Sequence, residues 1–301
     1  MLVKNPVISV VMPVYNTPVP LLREAVESIL EQTIRHFEFI IVDDGSTGET
    51  KAFLDSLTDE RIRLIRNPEN MGCTKSLNNG LREATGKYIA RMDADDISMP
   101  GRFEVQLNYM EAHPDVVVCG SKVAHEFKDT GSSRGKIEDA ESYRIRMLFV
   151  SPGPAHPTAM IRRETLVKHN IEYDENLRYA QDYGLWATLV EYGRIVTLPD
   201  KLLYFREHDD RISIKHRADQ IKCDKMTQKR LLLRLLDNVT DAELDLHYLY
   251  STGYYRDLKL TKDVRRWYRK LIRANDKKRV YNRLKFRKKI YRSWLRILTK
   301  R

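Results

Sequence analysis

The chain has 301 residues, of which 42% are hydrophobic and 32% charged; this bounds it to one large or two modest globular domains with ample core and excludes a disordered or fibrous chain. No apolar run approaches the roughly 20 residues that span a bilayer, and the first residues hold no apolar core of signal-peptide length, so a cytoplasmic protein is expected. The net charge of +11 is unevenly spread: residues 262–301 carry 18 Lys and Arg against two acids, whereas residues 1–261 carry 35 against 40.

Residues 7–14 form a β-branched run that reads as a strand buried on both faces. Residues 21–32 follow with apolar groups at helical spacing. A second buried strand at 37–42 stops at Asp43-Asp44-Gly45-Ser46, a third lies at 62–65, and a helix over 74–84 ends near Gly86. Tyr88-Ile89-Ala90 is another strand, directly followed by an acidic triplet. Strands alternating with helices imply a largely parallel α/β sheet covered on both faces, with ligands held beyond the carboxyl ends of its strands. Tyr15-Asn16, Asp43-Asp44 and Asp93 to Asp96 should therefore converge on one edge. Further on, the pattern predicts a helix to His113, a strand at 116–119, a polar loop over 125–155 with a helix possible at 143–150, and a helix over 182–192. From about Ala218 the chain reads as wholly helical, with Leu231, Leu232, Leu233, Leu235 and Leu236 packing it inward. This divides the chain into residues 1–214 and a basic helical extension, 215–301. Cys73, Cys119 and Cys223 are odd in number and far apart, which fits reduced thiols and argues against disulfides or a structural zinc.

The chemistry concentrates in Arg91-Met92-Asp93-Ala94-Asp95-Asp96. Carboxylates crowded behind a buried strand repel one another unless a cation lies between them, and hard divalent ions such as Mg²⁺ or Mn²⁺ prefer oxygen ligands shared with a phosphate. Asp96 could instead cap the helix after Pro100, the reading favoured here. A solvated acidic turn is the bland alternative for the triplet.

Residues 7–16 (VISVVMPVYN), 42–46 (VDDGS), 70–80 (NMGCTKSLNNG), 88–96 (YIARMDADD), 156–158 (HPT) and 181–183 (QDY) occur in the order and spacing of glycosyltransferase family 2, which the chain resembles over about residues 5–210. The resemblance implies a GT-A fold, nucleotide-sugar donors and inversion at the anomeric carbon. By it, Asp95 is the direct ligand of Mn²⁺ or Mg²⁺, and Asp93 contacts the ribose or the metal's water shell. Asp43, with Asp44 beside it, accepts the N3–H of a uracil, while Pro13 and Tyr15 wall the base. Lys75, at the start of a helix, faces phosphates or base unless it is a plain surface lysine. Asp182 is the base for the acceptor hydroxyl, although Gln181 stands where many members carry Glu. His156 lies on the acceptor side, and His208 is near a position from which a histidine reaches the metal. The Gln-x-x-Arg-Trp motif of processive synthases is lacking, so a non-processive transfer of hexose from a UDP-sugar to a hydroxyl of a saccharide, itself lipid-linked, is expected in surface-polysaccharide or glycan assembly. A catalytically silent nucleotide-sugar-binding scaffold is the alternative. A dinucleotide-dependent dehydrogenase is excluded by Tyr15-Asn16-Thr17-Pro18 standing where Gly-x-Gly-x-x-Gly would be.

Residues 281–298 place Leu284, Tyr291, Leu295 and Leu298 near one helical face, with Trp294 alongside and seven cations around them. Such a helix can lie on an anionic membrane surface, or its stripe can dock on the chain's own body or on a second subunit in an oligomer. Nothing in the body points to nucleic acid.

Overall fold

Strand β1 (Ile8–Val14) lies at the centre of the parallel half of the sheet, and every residue of it but Pro13 is buried. It pairs in parallel with β2 (Phe37–Asp43), buried throughout, and with β4 (Tyr88–Arg91). Continuous burial explains why these strands read as unbroken apolar runs. The structure is a computed structural model that describes residues 4–125, 131–132, 137–150, 153–206, 216–252 and 261–299.

The remaining elements of the first unit are α1 (Val19–Leu30), α2 (Gly48–Asp55), β3 (Ile62–Arg66), α3 (Cys73–Glu83), β5 (Ile97–Ser98), α4 (Arg102–Ala112), β6 (Val116–Ala124) and β7 (Gly131–Ser132). After α5 (Ala140–Met147) come β8 (Met160–Arg162), α6 (Arg163–His169), α7 (Gln181–Leu189) and β9 (Arg194–Tyr204). Among the described residues the strand order is β3-β2-β1-β4-β8-β6-β9-β5, with β7 also on β9. The long pairings are parallel, and β8, β5 and β7 add short antiparallel ones. The sheet is thus mixed and largely parallel, as the sequence predicts. Helix α3 presses so closely on it that a Cβ at Gly80 would stand 2.4 Å from Val11 Cγ1. Strands β8 and β9 were not anticipated. β8 is only three residues long, and β9 carries Pro199 and the charged pair Asp200-Lys201 within it, beside irregularities in its register with β6.

The chain divides into two compact units: Met1–Ile137 with Gly153–Lys215, and Glu138–Pro152 with His216–Arg301. The second is all helical, formed by α5, α8 (Arg217–Leu235), α9 (Asp241–Thr252), α10 (Lys262–Lys278) and α11 (Arg283–Thr299). Helix α5 belongs here because Asp139 pairs with Lys285 at 2.6 Å and Arg144 donates to the Val280 carbonyl at 3.2 Å. Its core includes Leu231, Leu232, Leu235, Trp267, Leu271, Phe286 and Ile290, whereas Leu233 is exposed. In α11 the buried face is Phe286 and Ile290; the stripe of Leu284, Tyr291 and Leu295 is exposed.

Candidate active site

Three strand ends meet where the pattern placed them. The Asp44 N–H donates to the Val14 carbonyl at 2.8 Å and the Met92 N–H to the Val11 carbonyl at 3.1 Å, which brings the exits of β1, β2 and β4 to one edge. At the first exit Pro13 is half-buried and Tyr15 is 49% exposed. Asn16 adopts φ 46°, and its amide oxygen accepts from Thr47 N at 2.9 Å.

At the second exit Asp43 and Asp44 are both buried but differently engaged. Asp43 accepts from Ser46 N at 2.8 Å, an Asx-type turn, and its other oxygen lies 3.4 Å from Arg66 Nε. Asp44 accepts from Asn67 Nδ2 at 2.7 Å, Met71 N at 2.9 Å and Gly72 N at 2.8 Å. Both oxygens of Asp44 thus hold the 67–72 loop. Directly after Asp44, Gly45 takes φ 79°, and a Cβ there would lie 2.8 Å from the Glu69 carbonyl carbon, which only glycine tolerates. Lys75, in the first turn of α3, is exposed and its Nζ lies 4.0 Å from Glu175. Arg178, not singled out from the sequence, packs over the start of the same helix, its Nη2 3.4 Å from where a Cβ of Gly72 would be.

At the third exit the carboxylates of Asp93, Asp95 and Asp96 offer oxygens within 4.8 Å of one another. Arg91 is buried and pairs with Asp93. Burial opposes its charge, but the Asp93 carboxylate outweighs this and holds the guanidinium above its usual value. Asp96 is 1% exposed. It is not the helix cap expected: Gly101 occupies that position in α4. One oxygen of Asp96 accepts from Arg206 N at 3.1 Å and the other is buried without a hydrogen-bond partner among the described residues. Burial, then Asp93 and Asp95, push its pKa up to about 8. An all-oxygen cluster with one orphaned buried oxygen fits a hard divalent cation, which would relieve both the repulsion and the missing bond.

The cluster is supported from behind by Arg102, fully buried in the first turn of α4, another residue the sequence reading passed over. It donates to the Arg91 carbonyl at 2.8 Å and to Gln106 Oε1 at 3.0 Å; Gln106 in turn donates to the Cys119 and Thr158 carbonyls, both at 2.7 Å. This ties β4 to β6 and to the turn at His156–Thr158.

Asp182 stands in the first turn of α7, partly open to solvent. Desolvation raises its pKa; the N–H groups of Tyr183 and Asp182 and the charge of Arg91 act against this, and Asp93 adds to it. The interactions with Arg91 and Asp93 place Asp182 in the electrostatic neighbourhood of the acid cluster. His156 is buried, its Nε2 2.8 Å from Tyr173 Oη and its ring edge-on to Tyr173 and Trp186. Burial, then Arg91, hold it well below the usual histidine value, so it is neutral. Asn78 fixes Tyr173 by donating to its carbonyl and accepting from its N–H, at 3.0 and 2.9 Å. The structure therefore gathers Arg91, Asp93, Tyr173 and Asp182 around one site, with His156 behind Tyr173. His208 lies outside the described residues.

Residues 9–170 match the family described as Glycosyl transferase family 2. The chain belongs to this family. Among curated relatives, this family 2 glycosyltransferase is 32% identical over 220 residues to the amylovoran biosynthesis glycosyltransferase AmsE of Erwinia amylovora, covering 72% of this chain and 82% of the relative. It is 33% identical over 248 residues to the putative glycosyltransferase EpsE of Bacillus subtilis, covering 79% and 88%. Among solved structures, S. aureus TarS 1–349 in complex with UDP-GlcNAc superposes with a TM-score of 0.62 at 20% identity, covering 89% of this chain and 81% of that one. The mannosyltransferase PcManGT of Pyrobaculum calidifontis, in complex with GDP-Man and Mn²⁺, gives 0.51 at 20% identity, covering 92% and 88%. These likenesses establish the GT-A-like fold.

Proposed function

We propose that this family 2 glycosyltransferase is an inverting, metal-dependent hexosyltransferase that uses a UDP-sugar and a saccharide hydroxyl. The observation that carries the reading is the orphaned oxygen of Asp96 within a three-carboxylate cluster, set beside a carboxylate of raised pKa. The complexes of TarS with UDP-GlcNAc and of PcManGT with GDP-Man and Mn²⁺ support a nucleotide-sugar donor and a divalent ion.

In this reading Asp95 and Asp93 would hold Mn²⁺ or Mg²⁺, with the unmatched oxygen of Asp96 offering a further ligand. When bound, the ion neutralises charge that grows on the diphosphate as it leaves. Asp43 reads the uracil, Tyr15 and Pro13 flank it, Asp44 shapes the loop that leads to Lys75, and Lys75 faces the phosphates. Asp182 takes the proton of the acceptor hydroxyl while that oxygen bonds to the anomeric carbon and the carbon–diphosphate bond breaks, its electron pair leaving with UDP. A raised pKa suits a base that must hold a proton once it has taken it. His156 serves the acceptor side through Tyr173. Residues 1–214 form the catalytic domain, apart from 138–152, which belong to the helical unit with the extension 215–301. The acceptor is a saccharide, and a lipid-linked one at the cytoplasmic membrane face is the form that the charge of the extension favours.

The test is UDP release across a panel of UDP-hexoses with Mn²⁺ or Mg²⁺, beside Asp95→Ala. Release from one donor that needs both metal and Asp95 is the expected result. No turnover and no metal-dependent UDP binding would replace this reading with that of a silent scaffold.

A further inference from the structure

In the helical unit two exposed faces stand out. On α10, Lys262, Arg265, Arg266, Arg269, Lys270 and Arg273 line a surface groove of ≈ 540 Å³ whose every lining residue is a cation. The opposite face of that helix supplies Val264, Trp267, Tyr268 and Leu271 to the interior. Arg266 pairs with Asp263 and Lys270 with Glu243, at 3.3 and 2.6 Å. Lys262, Arg265, Arg269 and Arg273 have no carboxylate partner among the described residues. Asp276, three residues beyond Arg273 on the same helix, is paired with Arg283 and Arg287 of α11 at 2.9 and 2.6 Å.

On α11, Leu284, Tyr291 and Leu295 are 78%, 50% and 59% exposed. Their spacing of seven and four residues puts them on one ridge. Lys288 lies within that ridge and Arg292 beside it, both exposed and neither paired with a carboxylate among the described residues. The interior of the unit is already served by Phe286 and Ile290, so the ridge is surplus to it.

We propose that these two faces dock the protein on an anionic lipid bilayer, with Leu284, Tyr291 and Leu295 at the headgroup–acyl boundary and the cations among headgroup phosphates. Charge complementarity selects this occupant. A nucleic acid would engage the cations but leave the ridge in water, and a second copy would bring like charges together. No helix of the described residues is long and apolar enough to cross a membrane, so the attachment is peripheral. The inference deepens the membrane-side reading above but stands on the helical unit alone.

The experiment is sedimentation of the full chain with vesicles of phosphatidylcholine, with or without phosphatidylglycerol. Binding is expected only with the anionic lipid and should weaken with salt. Arg265→Gln/Arg269→Gln/Arg273→Gln should weaken it about 100-fold, and Leu284→Gln/Leu295→Gln about tenfold or more. Both variants alter exposed side chains, and unchanged circular-dichroism melts would confirm their fold. Equal binding to neutral vesicles, or binding that neither variant changes, overturns the proposal. So does a leucine variant that binds vesicles normally while the arginine variant alone loses affinity for both vesicles and duplex RNA. UDP release in solution is expected unchanged in both variants, which separates failure here from failure of the donor reading.

Discussion

The main-chain N–H of Arg206 donates to one oxygen of Asp96 at 3.1 Å, and the Arg206 guanidinium donates to the Asp95 carbonyl at the same distance. Residues 110 positions apart thus meet at the acid cluster. Strand β9, which ends at Tyr204, also pairs with β5 immediately after the triplet. The cluster is therefore held from both sides, and at Asp96 burial and the charges of Asp93 and Asp95 oppose ionisation, a cost that a cation would relieve.

Metal should stabilise the folded chain. With Mn²⁺ at 100 times its dissociation constant the gain is about 2.7 kcal/mol, read by calorimetry as a rise in Tm. Asp95→Asn should abolish this rise and lower UDP release by about 10²–10³-fold, the usual effect of removing one transition-state charge stabiliser. A rise that survives in the variant removes Asp95 as a ligand.

Asp182 gives opposite signs for stability and activity. Its folded pKa is raised, chiefly by burial, so its contribution favours the fold below the ordinary value of 3.8 and is lost as pH rises through the raised value. Asp182→Asn should therefore melt above the wild type at neutral pH. Transfer should fall about 10²–10⁴-fold while UDP binding persists. Wild-type transfer should decline as pH drops through the raised value, because a protonated carboxyl cannot take the acceptor proton. Near-normal turnover of the variant would exclude Asp182 as the base.

Gly45→Ala tests the turn that follows the two buried aspartates. A φ of 79° costs a residue with a Cβ about 1–2 kcal/mol, and the Glu69 backbone stands in the way at 2.8 Å. Thermal scans should show a loss of about 4 °C or more for a chain of this size, with weaker UDP binding because Asp43 and Asp44 immediately precede the strained position. An unchanged melt would mean that the 67–72 loop can yield.

His247 should give the helical unit an acid limb. Its Nε2 lies 2.7 Å from the Leu148 carbonyl, and its Nδ1 accepts from the Trp267 indole N–H at 3.2 Å, an arrangement open only to the neutral ring. Burial pushes its pKa down to about 4 from the ordinary 6.5. Its stabilising contribution is full above 6.5 and is lost as pH falls from there to about 4. Hydrogen-exchange protection of α9 and α10 should fall over this window, and His247→Gln, which can both donate and accept, should flatten the loss. Equal pH dependence in the variant would assign the limb to other groups.

Much of the site could be read along the chain because each piece is local. The runs at 7–14 and 37–42 are buried on both faces, so they stay apolar throughout, and the acids follow at the point where burial ends. Arg102, Arg178 and Arg206 escaped notice because an arginine in a loop or first helical turn has no signature; only the packing of α4, the start of α3 and the end of β9 gives each a partner. Asp96 was misread for a related reason. Its position ahead of Pro100 suits a cap, yet β5 and β9 carry it into the interior instead.

Taken by itself, the sequence determined the alternation of strands and helices, the family motifs, and the concentration of cations in the last 40 residues, since periodicity, burial on both faces and charge are properties of neighbouring residues. Tertiary structure alone decided which carboxylate was left with an unmatched oxygen, that Asp44 holds a loop with both of its own, and that α11 buries Phe286 and Ile290 and exposes Leu284 and Tyr291. Those outcomes depend on partners far away in the chain, and an apolar residue on an amphipathic helix carries no mark of which neighbour, if any, will cover it.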